Sequence, residues 1–260
     1  MRIARFTTGD EQPTYGVVGG ADGDEVVASI VGDPLYVGVE LTGAQYSLAA
    51  VRLLAPVIPR SKVVGIGRNY AAHAEELGND VPAVPLVFLK PNTSVVGPSD
   101  PIVYPSQSRD VQFEGELAVV IGRICRDLPI DRADEVVYGY TVGNDVTARD
   151  LQATDGQWAR AKGFDSFCPL GPWIETDLDP SDLAVTTRLN GAVQQDGRTS
   201  LMLHDVPAVI AHVTSFMTLL PGDVVLTGTP EGVGPMRPGD EISVTIQGIG
   251  TLTNKVVSRD

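Results

Sequence analysis

The sequence predicts a mixed α/β protein, mostly β, in which a small β-rich N-terminal domain (residues 1–58) precedes a larger domain (residues 59–260). Three observations predict it. Glycine (28) and proline (19) are both abundant, which suits many short strands joined by turns. Only one long helical pattern is amphipathic. And Ala55-Pro56-Val57-Ile58-Pro59 reads as a linker between stretches of different character.

The elements follow in order. Thr14–Val18 and Glu25–Ala28 are β-like runs separated by Gly-Gly-Ala-Asp-Gly, the pattern of a small meander. Leu48–Leu54 looks helical. From Lys62 onward strands dominate: Lys62–Ile66 and Leu86–Leu89 are short apolar runs bounded by Gly or Pro. Val137–Asp145 runs from an apolar start into an acid, and Val146–Gln152 then reads as a helix start. Val185–Gln194 carries Asn190-Gly191 between two alternating runs, a hairpin signal because both turn positions favour positive φ. Val224–Leu226, Glu241–Ile246 and Thr251–Val257 read as further strands, with Pro-Gly-Asp turns at 221–223 and 238–240. The amphipathic helix starts at a capping Asp205 with Pro207 in its first turn. Val209, Ile210, Val213, Phe216, Met217 and Leu220 keep its 3–4 spacing until Pro221-Gly222 stops it.

Bulk properties narrow the function. With 260 residues, 43% hydrophobic and 20% charged, the chain is an ordinary globular protein that needs no staples to hold its core. A net charge of −14 makes nucleic acid or an anionic membrane surface a poor partner. An anionic substrate would need positive charge supplied locally. Cys125 and Cys168 have neither metal nor disulfide spacing. No run reaches signal-peptide or membrane-spanning length, so the expected setting is cytoplasmic and reducing.

The chemistry gathers around carboxylates. In VQFEGELAVV, Glu114 and Glu116 lie two apart in an apolar run, so on a strand they share a face with Gly115 opposite. An exposed edge strand would tolerate both; a cation between them would remove their repulsion. Asp145, at the end of a second strand, supplies a third oxygen donor, although a lone Asp there also serves as a cap. Three carboxylates without His or Cys favour Mg²⁺ or Mn²⁺ over Zn²⁺. His73 and Glu76 lie at i and i+3, so on a helix Glu76 can orient the imidazole as a general base, where the plain alternative is a surface histidine. Thr227–Gly234 is glycine-rich but lacks the GK[ST] ending of a phosphate loop. Its amides and Thr229, together with Arg68 and Asn69, are candidates for holding a substrate carboxylate.

The strings GIGRNYAAHAEEL, PLVFLKP, FEGELAVVIG, NDVTARDLQ, AKGFD and LTGTPEGVG, in this order over about residues 60–256, resemble the fumarylacetoacetate hydrolase family. The resemblance implies a β-sandwich-roll catalytic domain, a metal held by Glu114, Glu116 and Asp145, and a homodimer. It implies that Lys162, otherwise read as a surface lysine, lies beside the metal, and that Arg149 and Gln152 contact substrate. The His73-x-x-Glu76 pair after GRNY resembles the lid dyad of the small acylpyruvase, oxaloacetate decarboxylase and 2-hydroxyhepta-2,4-diene-1,7-dioate isomerase branch. It departs from the larger animal fumarylacetoacetate hydrolases, whose catalytic His has a different context. The implied substrate is a small anionic 2-oxo or 2,4-dioxo acid handled through a metal-stabilised enolate. The outcome is C–C hydrolysis or decarboxylation, with isomerisation as the alternative. A catalytically silent metal- or ligand-binding relative is the other class left open.

Overall fold

The computed structural model describes residues 1–9, 12–21 and 23–259. Three β-sheets frame the described residues. The largest runs in the order Leu41–Ser47, Val26–Ile30, Thr14–Gly19, Arg2–Thr7, Cys168–Glu175, Val137–Asn144, Gly115–Ile121, Val224–Leu226, Val63–Gly67, Leu86–Lys90. Arg52–Leu54 adds to Arg2–Thr7, and Val95–Val96 to Cys168–Glu175. A five-stranded sheet holds Ala192–Arg198, Ala184–Leu189, Glu241–Ile246, Gly250–Ser258 and Ile102–Tyr104. A three-stranded sheet joins Thr147–Ala148, Val111–Phe113 and Gly234–Met236. The described helices are short: α1 (Pro34–Val37), α2 (Ala71–Glu76), α3 (Arg149–Asp155), α4 (Ala159–Lys162) and α5 (Val206–Phe216). None is long and apolar enough to cross a membrane.

The fold is thus mixed and mostly β, with a small N-terminal β unit ahead of the catalytic-type domain. The N-terminal unit shares a sheet with the rest. Arg2 and Ile3 pair with Glu175 and Ile174, so the meander extends the central sheet sideways. The linker residues Ala55 and Val57 are buried beneath this junction.

Gly115–Ile121 is the axis of the molecule. Every residue of it is buried, as expected of a strand covered on both faces. Leu117, Val119 and Ile121 enter a core built with Val185, Val244 and Ile246 of the five-stranded sheet and Val209, Ile210 and Val213 of α5. Ala118 and Val120 enter a second core with Ile3, Val63, Leu170 and Leu226. By the same alternation Glu116 points to the second face, away from the five-stranded sheet.

The hairpin forms as expected, with Asn190 at φ 51° and Gly191 at φ 82°. Both Pro-Gly-Asp turns form, with Gly222 and Gly239 at positive φ. Three expectations change. Leu48–Leu54 is a 3-10 turn (Leu48–Ala50) followed by a strand, because pairing with Arg2–Thr7 outweighs local helix propensity. The run through Glu114 is two strands, since Val111–Phe113 leaves the main sheet to pair with Thr147–Ala148 and Gly234–Met236. And α5 ends one turn early. Met217 is extended at φ −138°, Phe216 is exposed against the His212 ring, and Leu219 pairs with Cys125 instead.

Asp205 caps α5 by accepting a hydrogen bond from the Ala208 amide at 2.9 Å. Asp205→Ala should cost about 1 kcal/mol and lower Tm by a few degrees. Thermal unfolding checks this, and Asp205→Asn should recover most of the loss.

Candidate active site

The break at Glu114 builds the site. The Glu114 amide donates to Asn144 Oδ1 at 3.0 Å, and its carbonyl accepts from the Asp145 amide at 2.8 Å. The ends of two adjacent strands are thereby clamped together, with Glu114, Glu116 and Asp145 converging. Each offers one carboxylate oxygen within 4.8 Å of the others, and all three are buried. Gly115 is small for a local reason. A Cβ there would meet Thr187 Oγ1 at 2.2 Å and Val244 Cγ1 at 2.9 Å, so any side chain would push the two glutamates off their sheet. Its amide donates to Gln195 Oε1 at 3.0 Å.

Buried carboxylates need compensation. Lys162, at the end of α4, donates to Glu114 Oε2 at 2.7 Å and to Asp145 Oδ2 at 2.6 Å. Its Nζ also lies 4.9 Å from the centroid of the Phe88 ring. Lys90, fully buried, donates to Asp145 Oδ1 and, at 3.2 Å, to the Val146 carbonyl. Arg149, the first residue of α3, donates to Glu114 Oε1, to Gln112 Oε1 at 3.0 Å and to Gln152 Oε1 at 2.7 Å. Glu114 and Asp145 therefore meet three cations between them.

The acids respond differently. Burial alone would raise Glu114, but the charges of Lys162 and Arg149 outweigh it and hold the carboxyl well below the usual range. Glu116 has no cation in contact; its Oε2 accepts only the Gly228 amide, at 2.7 Å. Burial first, and then the charges of Asp145 and Glu114, push it well above the usual range. Lys162 is lowered by burial but raised more by Asp145 and Glu114, so it stays charged. Cys168 is not among the clustered ligands, and burial pushes its thiol up to about 12. Three oxygen donors, one of them short of positive charge and with no His or Cys in the ligand cluster among the described residues, suit a hard divalent cation.

The dyad stands in the same cleft. His73 and Glu76 share a face of α2, with Nδ1 and Oε2 3.2 Å apart. His73 is buried, and Glu76 also accepts from the Gly232 amide at 3.1 Å. His73, Arg68, Glu114, Glu116, Arg149, Gln152, Lys162 and Thr229 line one cleft of about 340 Å³, closed by Ile66, Leu77 and Trp158. The sequence candidates thus come together, with two qualifications of geometry. Asn69 does not line the cleft. Its amide brackets the His204 and Thr227 backbones, donating at 2.9 and 2.8 Å and accepting from the His204 amide at 2.9 Å. Thr229 lines the cleft, but its hydroxyl donates to the Gly115 carbonyl at 2.9 Å and accepts from Gln195 at 2.7 Å. The glycine-rich loop thus directs its Gly228 amide and the Thr229 hydroxyl at the ligand strand. Sequence reasoning missed Lys90, Asn144 and Gln195. Lys90 had a signal, standing at the end of the apolar run PLVFL; the two amides had none.

Comparison with known proteins agrees with this geometry. Residues 62–257 match the family profile described as fumarylacetoacetate (FAA) hydrolase, C-terminal, and residues 1–56 one described as Rv2993c-like, N-terminal. Protein Rv2993c of Mycobacterium tuberculosis is 52% identical over 100% of this chain and 99% of its own. The solved 2-hydroxyhepta-2,4-diene-1,7-dioate isomerase of Mycobacterium marinum is 50% identical, with a TM-score of 0.92 over 100% of this chain and 99% of that one. A fumarylpyruvate hydrolase of Pseudomonas aeruginosa, solved with Mn²⁺ and pyruvate, is 35% identical, with a TM-score of 0.74 over 80% and 92% of the chains. This chain belongs to the fumarylacetoacetate hydrolase family.

Glu116 sets the pH response of the cluster. Its folded value lies above the unfolded carboxyl value of about 4.3, so its contribution to stability is present below that value and lost as pH rises through the folded one. Glu114, depressed, contributes above about 4.3 and loses its contribution only at lower pH. As pH rises above about 4.3 the metal-free protein should therefore lose stability on Glu116's account. Glu116→Gln should flatten that slope and raise the metal-free Tm at the upper end. It should also weaken Mn²⁺ binding by at least about tenfold, a lost charged ligand being worth more than 1.4 kcal/mol. In the wild type, Mn²⁺ binding should release protons, read by calorimetry as a heat that depends on the buffer. Equal Mn²⁺ affinity in both proteins would sink the ligand assignment.

Proposed function

We propose that this protein is an Mg²⁺- or Mn²⁺-dependent enzyme that cleaves a C–C bond of a small 2-oxo or 2,4-dioxo acid, by hydrolysis or by decarboxylation. The observation that carries the reading is the buried His73, paired with the more exposed Glu76 and lining the same cleft as Glu114 and Glu116 of the buried Glu114, Glu116, Asp145 cluster. A divalent cation on the three carboxylates would supply Lewis acidity to a chelating carboxylate and 2-oxo oxygen, stabilising the negative charge that cleavage leaves there.

The chain's own residues divide the remaining work. Glu76 accepts the Nδ1 proton of His73 and so leaves Nε2 with the lone pair. Gly232 fixes Glu76 from its other side, which orients the imidazole. Nε2 can then take a proton from a water attacking the distal carbonyl and return it to the departing carbon. In decarboxylation no water attacks: CO₂ departs with the C–C bond's electrons left on the enolate, and His73, entering as the imidazolium, gives the enolate carbon its Nε2 proton and regains one from solvent. Lys162 and Arg149 hold the acid's oxygens as cations, and Gln152 keeps Arg149 in plane. Leu77 and Trp158 supply apolar wall to the cleft.

A second reading is isomerisation of a hydroxy-diene-dioate. The full-length relative named for that reaction, at 50% identity, favours it. In that reaction protons move along the substrate and no water is consumed.

One panel separates these readings: oxaloacetate, acylpyruvates, fumarylpyruvate and hydroxy-diene-dioates, each with Mg²⁺ and Mn²⁺. At least one 2-oxo acid should be cleaved, and His73→Ala should lower that turnover by about 10²–10⁴-fold with Mn²⁺ affinity retained. Near-normal rates of His73→Ala on a hydroxy-diene-dioate would favour the isomerase. Loss of Mn²⁺ binding in His73→Ala would make His73 a ligand and end the general-base reading. The functional unit we propose is a homodimer, which light scattering tests; a monomer at micromolar concentration would end that part.

A further inference from the structure

The cleft holds one cation that the carboxylate cluster does not use. Lys162, Lys90 and Arg149 all have acid partners. Arg68 lines the same cleft, yet no carboxylate lies within ion-pair distance of it among the described residues, and no hydrogen bond holds it. Its backbone is also unusual. Arg68 sits at φ 56°, in the left-handed region that arginine seldom adopts. The strand Val63–Gly67 ends there and α2 begins at Ala71. Asn69 locks the turn to the 204 and 227 backbones, so the strained conformation is held from one side. A glycine would occupy this position without strain. Strain kept at a cleft wall, on a side chain with no partner in the protein, points to a partner from outside.

We propose that Arg68 is the specificity-determining residue of the cleft: it pairs with a second carboxylate of the substrate, remote from the 2-oxo acid head, and so selects diacids over monoacids. The inference rests on the reading that the head binds at the Glu114, Glu116, Asp145 cluster. The other three cations of the site, Lys90, Lys162 and Arg149, are already engaged by Asp145 and Glu114. A guanidinium on the wall, presenting a planar fork, fits a carboxylate bidentately. A monoacid of the same length would leave Arg68 unpaired against apolar chain, while a diacid satisfies it.

The test uses binding, with probes of matched length. Mn²⁺-loaded protein is titrated with 2-oxoglutarate against 2-oxopentanoate, and with 2-oxoadipate against 2-oxohexanoate. The wild type should prefer the diacid of at least one pair by about ten- to a hundredfold, the range of a charge-assisted hydrogen-bond pair. Arg68→Gly suits the left-handed turn, and so should fold with an equal or higher Tm; its diacid preference should collapse to near one. Arg68→Gln serves as the second variant, with the same expected collapse. Arg68→Lys should keep part of the preference, as a point charge without the fork. A wild type that binds both acids alike overturns the proposal. So does a preference that survives in Arg68→Gly and Arg68→Gln. An equal loss for monoacid and diacid would place Arg68 on the head carboxylate and also overturn it. If neither monoacid nor diacid binds the Mn²⁺-loaded protein, the metal-head reading falls and takes the proposal with it, whereas equal binding of both overturns the proposal alone.

Discussion

Everything in this molecule is arranged around the burial of three carboxylates at the ends of two neighbouring strands. Isolated ionised carboxylates do not survive in such surroundings. Here two oxygens of Asp145 and two of Glu114 are each met by Lys90, Lys162 or Arg149. Glu116 is left with a single backbone amide. That asymmetry is chemically useful. The cluster retains one ligand whose negative charge is poorly compensated and which therefore favours a dication.

The rest of the fold holds this cluster still. Gly115 carries no side chain, so the five-stranded sheet approaches the ligand strand closely, and Thr187, Val244 and Gln195 fill the space that a Cβ would need. Gln195 ties the Gly115 amide to the Thr229–Pro230 loop. Asn144 ties the Glu114 amide to the adjacent strand. Both are buried amides that complete a hydrogen-bond ladder where the strand breaks. The break itself frees Val111–Phe113 to support Thr147–Ala148, which leads directly into α3 and Arg149.

How much of this could be read in advance depended on the range of the interaction. The hairpin at Asn190-Gly191 and the cap at Asp205 are local: the residues that specify them lie within a few positions. The Glu114–Glu116 pair is also local, because strand alternation alone places both side chains on one face. The third ligand, Asp145, needed only the neighbouring strand. Lys90 was missed because a lysine closing an apolar strand usually reaches solvent, and only the partner 55 positions away shows that this one does not. Gln195 was hidden in a strand whose neighbours look exposed, and its role appears only against a loop more than thirty residues on. The Leu48–Leu54 run was misread for the same reason. Its helical pattern was real, but Arg2–Thr7 offered an unpaired sheet edge, and pairing won.

The glycine-rich loop illustrates how a segment with no motif of its own acquires a role. Its sequence suggested amides aimed at a ligand. Instead Gly228 donates to Glu116, Thr229 donates to the Gly115 carbonyl, and Gly232 donates to Glu76. Gly228 and Gly232 both sit at positive φ, and a Cβ at Gly232 would lie 2.1 Å from the Gln194 carbonyl oxygen, so only glycine fits there. One loop therefore touches the Glu116 carboxylate through Gly228 and the partner of His73 through Gly232. A displacement of that loop would disturb the charge of the cluster and the orientation of the imidazole together. The two halves of the cleft, which come from separate stretches of the chain, are kept in register by Gly228, Thr229 and Gly232.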